Sequence, residues 1–174
     1  TTAGWEGEDK WFRVEDGAIV AGSLKEPIPM NQFLVTEKEF GDFELRLQAK
    51  LMGEGQNAGV QFWSERIPDH HEMIGFQCDI GLMGEQSIWG ALYDESRRRE
   101  MLSVVPVPTR LATDFDGWND FRILARGDTI AIWVNGALAT RYVESEPPSE
   151  IPRRGRFGLQ IHSGPPAEAW YRDV

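Results

Sequence analysis

Four short runs of this chain alternate apolar residues with polar or aromatic ones, and that period of two is typical of β-strands. Successive strand side chains point to opposite faces, so one half of each run can enter a core while the other half faces outward. The apolar halves are Val60 and Phe62, Phe76 and Cys78, Gly90 and Leu92, and Phe157, Leu159 and Ile161. The predicted outward halves are Gln61 and Trp63, Gln77 and Asp79, Trp89 and Tyr93, and Gln160 and His162.

The run at 43–51 shows what an ordinary solvated strand face looks like. Its outward side chains are Glu44, Arg46, Gln48 and Lys50. The other four runs instead present amides, a carboxylate, an imidazole and flat aromatic rings. Such side chains suit a polar, hydroxylated and uncharged ligand, which indicates a sheet that handles carbohydrate.

The distribution of turn residues predicts an all-β fold. Eighteen Gly and ten Pro punctuate the chain, and no long stretch repeats apolar residues at helical spacing. Strands are expected near 11–14, 18–21, 32–36, 43–51, 58–63, 73–80, 89–93, 101–105, 119–126, 129–135, 137–143, 155–161 and 168–174. Many short antiparallel strands favour a two-sheet β-sandwich or jelly roll, formed by residues 1–174 as a single domain.

Two local features refine this expectation. Asn135-Gly136 between two β-rich runs predicts a tight hairpin, so that 119–143 forms a three-strand meander. The Pro-rich segment 144–152 is predicted to be a loop. We expect five tryptophans to pack in the core, namely Trp5, Trp11, Trp118, Trp133 and Trp170.

Composition limits the partners. The formal net charge is −10 and no basic stretch is long, so nucleic acid and anionic membrane surfaces are not expected to bind. No apolar run approaches the ~20 residues of a membrane span. The sequence carries no signal peptide, and we expect a trimmed or mature form because it opens abruptly at Thr1. The single Cys78 excludes an internal disulfide and is expected to be a buried, unreactive side chain.

Several standard chemistries lack their motifs. There is no phosphate-binding glycine loop and no G-x-S-x-G nucleophile turn. Neighbouring strand residues point apart, so His70, His71 and Glu72 are not expected to chelate one metal together. Asp69 or Glu72 could join a calcium site, but the spacing requires no cofactor.

The segment 89–97 is the densest in usable side chains. Trp89 and Tyr93 could stack on sugar faces, and Arg97 could stabilise an oxyanion. Asp94 and Glu95 could act as an acid, a base or an acceptor for sugar hydroxyls. The alternative is a strand that ends in a solvated charged loop. His162 follows Gln160 on its own outward face, and an imidazole can act as a general base.

These residues together resemble the 3-keto-disaccharide hydrolase family over nearly the whole chain. The most specific blocks are 89–97 (WGALYDESR) and 158–166 (GLQIHSGPP); further matches lie at 59–66, 70–72, 75–81, 118–119 and 133–136. Position 76 carries Phe where some members carry Tyr, so that one hydroxyl is missing here.

The resemblance implies a concanavalin A-like sandwich, often exported to the periplasm or outside the cell, that acts on glycosides oxidised at sugar C3. Such a ketone acidifies the C2 proton, so elimination across C1–C2 and then hydration give net hydrolysis. This route requires a base (His162 or Asp79), an acid (Glu95 or Tyr93) and a group that stabilises the enolate. Arg66, Arg97 or a bound cation could stabilise the enolate, and an upstream sugar 3-oxidoreductase would supply the substrate.

In this scheme the substrate-binding residues are Gln61, Trp63, Arg66, Gln77, Trp89, Arg97 and Gln160. A non-catalytic carbohydrate-binding module of the same fold is the main alternative, and it would use Trp63, Trp89 and Tyr93 as stacking platforms. A structural domain attached to a larger enzyme is a third possibility, and it would need no shared polar surface.

Overall fold

Two antiparallel β-sheets pack face to face in the computed structural model, which describes residues 2–174. Strands are numbered in chain order. The first sheet runs β1 (Trp5–Glu6), β4 (Gln32–Thr36), β14 (Arg156–Ile161), β6 (Asn57–Arg66), β7 (Met73–Met83), β9 (Leu92–Glu95) and β10 (Glu100–Met101), with β8 (Gln86–Ser87) paired to β7. The second runs β13 (Ala137–Val143), β12 (Thr129–Val134), β11 (Asn119–Arg126), β5 (Phe43–Gly53), β15 (Ala167–Arg172), β3 (Ala18–Ser23) and β2 (Phe12–Glu15). The predicted sandwich is confirmed.

The main core lies between the sheets and takes one side of each strand. Phe62, Phe76 and Leu159 enter it from the first sheet, and Leu47 and Phe121 enter it from the second. The period-two pattern therefore assigns the apolar halves correctly at β6, β7 and β14. Cys78 is fully buried in this core, and burial raises its thiol pKa well above the ordinary value, as expected for an unreactive cysteine.

The meander and its hairpin are confirmed. Strands β11, β12 and β13 pair consecutively, and both Asn135 and Gly136 adopt the positive φ angles that a tight hairpin requires. The segment 144–152 is a loop, as its prolines predict. No helix among residues 2–174 is long and apolar enough to cross a membrane.

The strand expected at 101–105 is wrong. The Leu92 amide donates to the Ser103 side-chain oxygen, so a hydroxyl replaces the backbone acceptor that a continuing strand would supply. The chain then forms a short helix, α1 (Val107–Ala112), which starts after Pro106 and is held by a hydrogen bond from Thr109 to the Leu138 carbonyl oxygen. The strand predicted at 89–93 is displaced to β9.

The expected core positions are confirmed for Trp11, which lies in the main core, and for Trp5, which packs against it. Trp170 is buried in a second, smaller cluster with Ala18 and Val20 on the outer face of the second sheet, and Trp118 packs against that cluster. Trp133 is on the same outer face but in neither cluster, so its expected core position is wrong. There Lys50 lies over the rings of Trp118 and Trp170, and Arg122 lies over Trp133. Cations cover these rings because Lys50 and Arg122 are on the same solvent-facing side of β5 and β11.

Candidate functional site

A cleft of about 220 Å³ opens on the outer face of the first sheet, the face turned away from the core. Register explains why its side chains meet: Gln61 pairs with Gln77, Gln77 pairs with Tyr93, and Gly59 pairs with Asp79 across β6, β7 and β9. The cleft is lined by Asn31, Asn57, Gln77, Asp79, Met83, Ile88, Tyr93, Glu95, Met101 and His162. Five residues singled out from the sequence thus share one cavity: Gln77, Asp79, Tyr93, Glu95 and His162.

Asp79 is almost completely buried at this cleft, with 5% of its surface exposed. Its Oδ1 accepts a hydrogen bond of 2.7 Å from Gln77 Nε2. The Gln77 side chain lies across Gly59 on the neighbouring strand, where a Cβ would stand 2.6 Å from Gln77 Cδ. A glycine at 59 therefore makes the room that lets Gln77 reach Asp79.

Burial changes the acid–base character of two carboxyl groups in the cleft. Desolvation raises the pKa of Asp79 to about 7; the Gln77 hydrogen bond opposes this rise and the Glu95 charge adds to it. Desolvation also raises the pKa of Glu95 to about 7, with a further contribution from the Glu72 carboxylate. Near neutral pH the pair therefore populates a state in which one carboxyl is protonated while the other is ionised.

Tyr93 keeps its phenolic proton in this setting. Desolvation raises its pKa, and the negative charges of Glu95 and Asp79 raise it further. A neutral phenol in a low-dielectric cleft is a hydrogen-bond donor, which suits it to an oxygen that becomes negative during a reaction.

His162 is fixed by the turn that follows β14. Its Nδ1 lies 2.7 Å from the Ser163 carbonyl oxygen, and because a carbonyl can only accept, Nδ1 carries the proton. In the neutral ring Nε2 is then left as an acceptor. Asn31 supports this turn, since its side-chain oxygen accepts the Ser163 amide at 2.9 Å and its Nδ2 donates to Glu72 at 3.0 Å.

The sequence analysis missed Asn31 and Asn57 as cleft residues. Both could have been found by extending the alternation, because Asn57 lies two residues before Gly59 on β6 and Asn31 lies two residues before Phe33 on β4. Each therefore falls on the same outer face as Asp79. Their amides add hydrogen-bonding groups to the cleft.

The assignment of Trp63 and Trp89 as sugar platforms is wrong. A β-bulge between Phe62 and Glu65 turns Trp63 inward with φ 46°, and its indole nitrogen donates to the Gly41 carbonyl oxygen. Trp89 lies before β9, in a turn rather than on the strand, and is fully buried in the core. Neither ring is available to a ligand in the cleft.

Arg66 and Arg97 also lie outside the cleft, contrary to the sequence-based assignment. Arg97 pairs with the buried Asp94 carboxylate at 2.8 Å and lies 4.8 Å from the ring centre of Phe76, a core residue. Its loop follows Ser96, whose positive φ ends the strand alternation. Arg66 donates to the Phe33 carbonyl oxygen and lines a separate surface pocket with the two adjacent histidines.

Gln61 and Gln160 are on the predicted face but have no exposed surface. Gln61 Nε2 donates to Gln77 Oε1 at 2.8 Å, so Gln61 contacts a residue that lines the cleft but does not line it itself. Both amide atoms of Gln160 are buried without a hydrogen-bond partner among the described residues. Substrate contact by either residue, as expected from the sequence, is therefore wrong.

No three carboxylate, imidazole or thiolate side chains within residues 2–174 are arranged to hold a metal ion. The rings of His70 and His71 stack at 4.3 Å, and His71 Nε2 lies 3.1 Å from Glu72 Oε1. A calcium site that includes Asp69 or Glu72 stays a prediction from the sequence.

A model of the 3-keto-alpha-glucoside-1,2-lyase-like domain matches residues 1–174, and the chain belongs to this family. The family resemblance read from the sequence is thus confirmed. No curated protein matches the chain.

Solved structures share the fold at low sequence identity. The carbohydrate-binding module CBM66 from Bacillus subtilis is 14% identical, with a TM-score of 0.73 over 98% of this chain and 93% of that one. A protein from Parabacteroides distasonis, provisionally described as a glycosyl hydrolase, is 20% identical, with a TM-score of 0.67 over 98% and 91%. Bacillus licheniformis β-glucanase is 12% identical, with a TM-score of 0.60 over 98% and 90%. At these identities the likeness establishes the sandwich fold.

Proposed function

We propose that this protein cleaves glycosides whose sugar is oxidised at C3, by elimination across C1–C2 followed by hydration. Two carboxyl groups with pKa values near 7, Asp79 and Glu95, line one cleft with the neutral phenol of Tyr93. That observation carries the proposal, because the reaction needs a base, an acid and a hydrogen-bond donor at the same place. Family membership supports it, and a carbohydrate ligand is consistent with the names of the structural neighbours.

In the elimination the ionised carboxyl of Asp79 removes the proton from C2. The electron pair moves into a C2–C3 double bond and places negative charge on the C3 oxygen, to which the Tyr93 hydroxyl donates. The enolate then re-forms the C3 ketone, makes a C1–C2 double bond and breaks the bond from C1 to the glycosidic oxygen. Protonated Glu95 supplies the proton to that leaving oxygen.

Hydration reverses the proton movements. Water attacks C1 of the unsaturated ketone while the Glu95 carboxylate takes its proton, and protonated Asp79 returns a proton to C2. Both residues then regain their starting states, and the products are the released alcohol and the 3-keto-sugar. His162 Nε2, Asn31 and Asn57 are left to bind the sugar hydroxyls around this centre.

The non-catalytic module is the second candidate, and its support is the likeness to CBM66. A module of this kind would use exposed aromatic platforms, but Trp63 and Trp89 are buried and only Tyr93 reaches the cleft. Pure sugar binding also gives no reason to bury an acidic group such as Asp79. The cleft therefore favours the enzyme over the module and over a purely structural domain.

Aglycone release tests the proposal directly. The protein is incubated with a chromogenic 3-keto-glucoside and with its unoxidised parent, beside Asp79→Asn, Glu95→Gln and His162→Gln. We expect release only from the keto substrate, with the first two substitutions lowering the rate about 10²–10⁴-fold. Glu65→Gln, which alters an exposed carboxylate on β6, is the matched control and should leave the rate unchanged.

Each other outcome is informative. Sugar binding without release from either substrate would replace the proposal with the module. Equal release from both substrates would point to an ordinary glycosidase. Loss of activity in His162→Gln with full activity in Asp79→Asn would move the base to His162.

We further propose a periplasmic or extracellular location, which the family resemblance implies. We also propose an upstream sugar 3-oxidoreductase, since ordinary glycosides lack the required ketone.

A further inference from the structure

A chain of buried hydrogen bonds leads away from the cleft behind Asp79. Ser64 Oγ lies 2.6 Å from Gln61 Oε1, Gln61 Nε2 lies 2.8 Å from Gln77 Oε1, and Gln77 Nε2 lies 2.7 Å from Asp79 Oδ1. Ser64 and Gln61 have no exposed surface, and Gln77 has 3%. Neither Ser64 nor Gln61 lines the cleft.

The chain has a direction because an amide oxygen only accepts and an amide NH2 only donates. The Ser64 hydroxyl donates to Gln61, Gln61 donates to Gln77, and Gln77 donates to Asp79. This direction brings a donor to Asp79, and a donor favours the ionised carboxylate. Each link holds the next amide in one orientation.

The same positions also allow the opposite direction, and that direction needs a different proton. If both amides turned over, the Gln77 oxygen would face Asp79, which would have to be protonated to donate to it. Gln61 would then donate to Ser64, and the Ser64 hydroxyl could donate to the Phe62 carbonyl oxygen 2.9 Å away. The two directions of the chain thus correspond to the two charge states of Asp79.

We infer that Ser64 and Gln61 are positioning residues that keep the Gln77 NH2 group turned toward Asp79 and so hold Asp79 ready as a base. The catalytic consequence rests on the proposed function, whereas the effect on the Asp79 carboxyl does not. Without Gln61, the Gln77 amide would be free to present its oxygen to Asp79. Without the Ser64 hydroxyl, the Gln61 amide oxygen would lose the donor that holds this amide in its present orientation.

Gln160 offers a matched comparison. It is an equally buried glutamine on the same face of the sheet, but within residues 2–174 neither of its amide atoms has a hydrogen-bond partner, so no such bond links it to Asp79. Other titratable groups face Asp79 as well, namely Glu95 and Tyr93 from β9 and His162 after β14. The substitutions below leave all three in place, so a change in titration reports on the amide chain.

The test is a carbon-13 NMR titration of the Asp79 carboxyl in the protein without substrate. We expect Gln61→Leu to raise the Asp79 pKa by about one unit, a tenfold rise in proton affinity, and Ser64→Ala to shift it in the same direction. Gln160→Leu should leave it in place. Identical titration in wild type, Gln61→Leu and Ser64→Ala, or an equal shift in Gln160→Leu, would overturn the inference. Should Gln61→Leu fail to fold, Ser64→Ala removes a single oxygen and decides alone.

A second readout separates this inference from the proposed function. In the cleavage of a 3-keto-glucoside, the acidic limb of the pH–rate profile should move up in Gln61→Leu by the same amount as the NMR pKa. A shifted titration in a protein that cleaves no keto-glycoside would leave the hydrogen-bond chain standing and refute the proposed function. Cleavage of the keto-glycoside by a protein whose Asp79 titration does not shift in Gln61→Leu or Ser64→Ala would support the proposed function and refute the role of the hydrogen-bond chain.

Discussion

Burial of Asp79 should make the protein less stable as the pH rises, and Asp79→Asn should remove that loss. The ordinary pKa of the carboxyl is 3.8, and burial raises it to about 7. Below about pH 4 the group is protonated in the folded and in the unfolded chain, so it then contributes no difference. Between these two values the unfolded chain releases the proton while the folded chain keeps it, and the free energy of unfolding falls as the pH rises.

The size of the effect follows from the shift. Roughly three pKa units at about 1.4 kcal/mol each give a loss of about 4 kcal/mol between pH 4 and pH 8. Asparagine has a similar shape, carries no charge at any pH and can accept the Gln77 hydrogen bond through its side-chain oxygen. The free energy of unfolding of Asp79→Asn should therefore equal that of wild type at about pH 4 and exceed it by up to about 4 kcal/mol at about pH 8.

Urea unfolding followed by tryptophan fluorescence measures this difference, with both proteins titrated at half-unit intervals of pH. Glu65→Gln is the control, because an exposed carboxylate should leave the pH dependence of wild type intact. If the free energies of unfolding of wild type and Asp79→Asn changed in parallel across the pH range, the claim that burial raises the Asp79 pKa would be refuted.

Three further substitutions test other parts of the account. Gly59→Ala should displace Gln77 and lower the cleavage rate at least tenfold with the fold retained, as circular dichroism would show; full activity would contradict the close approach at that glycine. Trp63→Phe should lower the free energy of unfolding by about 2 kcal/mol and leave sugar affinity unchanged, and weaker binding without lost stability would restore Trp63 as a platform. Glu144→Gln should lower the free energy of unfolding by about 2 kcal/mol, because it removes the charged partner of the partly buried Arg98; an unchanged urea midpoint would show that the pair contributes nothing.

The cleft could be predicted from the sequence wherever its residues lie on regular strands. Gln77 and Asp79 on β7 and Tyr93 and Glu95 on β9 keep strict alternation, so each falls on the outer face as the period of two requires. His162 follows Ile161 without a break and reaches the same cleft. The pairing of these strands was not readable, because short antiparallel strands carry little information about which neighbour they take.

The two wrongly placed tryptophans lie where the alternation is broken. One extra residue in the bulge turns Trp63 into the core, and the turn before β9 does the same for Trp89. Nothing in the local sequence marks either break, since both tryptophans fit an outward strand position equally well. The burial of Gln61 and Gln160 could not be predicted either. The alternation along a strand shows which face a side chain is on, but it does not show whether other residues cover that face.

The proposed elimination is tested most directly by the fate of the C2 hydrogen during turnover in heavy water. A 3-keto-glucoside cleaved through an enolate loses this hydrogen to Asp79, and the protonated carboxyl exchanges with solvent while the alcohol leaves and water enters the cleft. Asp79 then returns deuterium to C2 of the released 3-keto-sugar, as mass spectrometry and NMR can locate. Incubation of the product sugar with and without the protein corrects for exchange of the free ketone. Release of a 3-keto-sugar that keeps its original hydrogen at C2 would contradict the account, because bond cleavage would then proceed by displacement at C1.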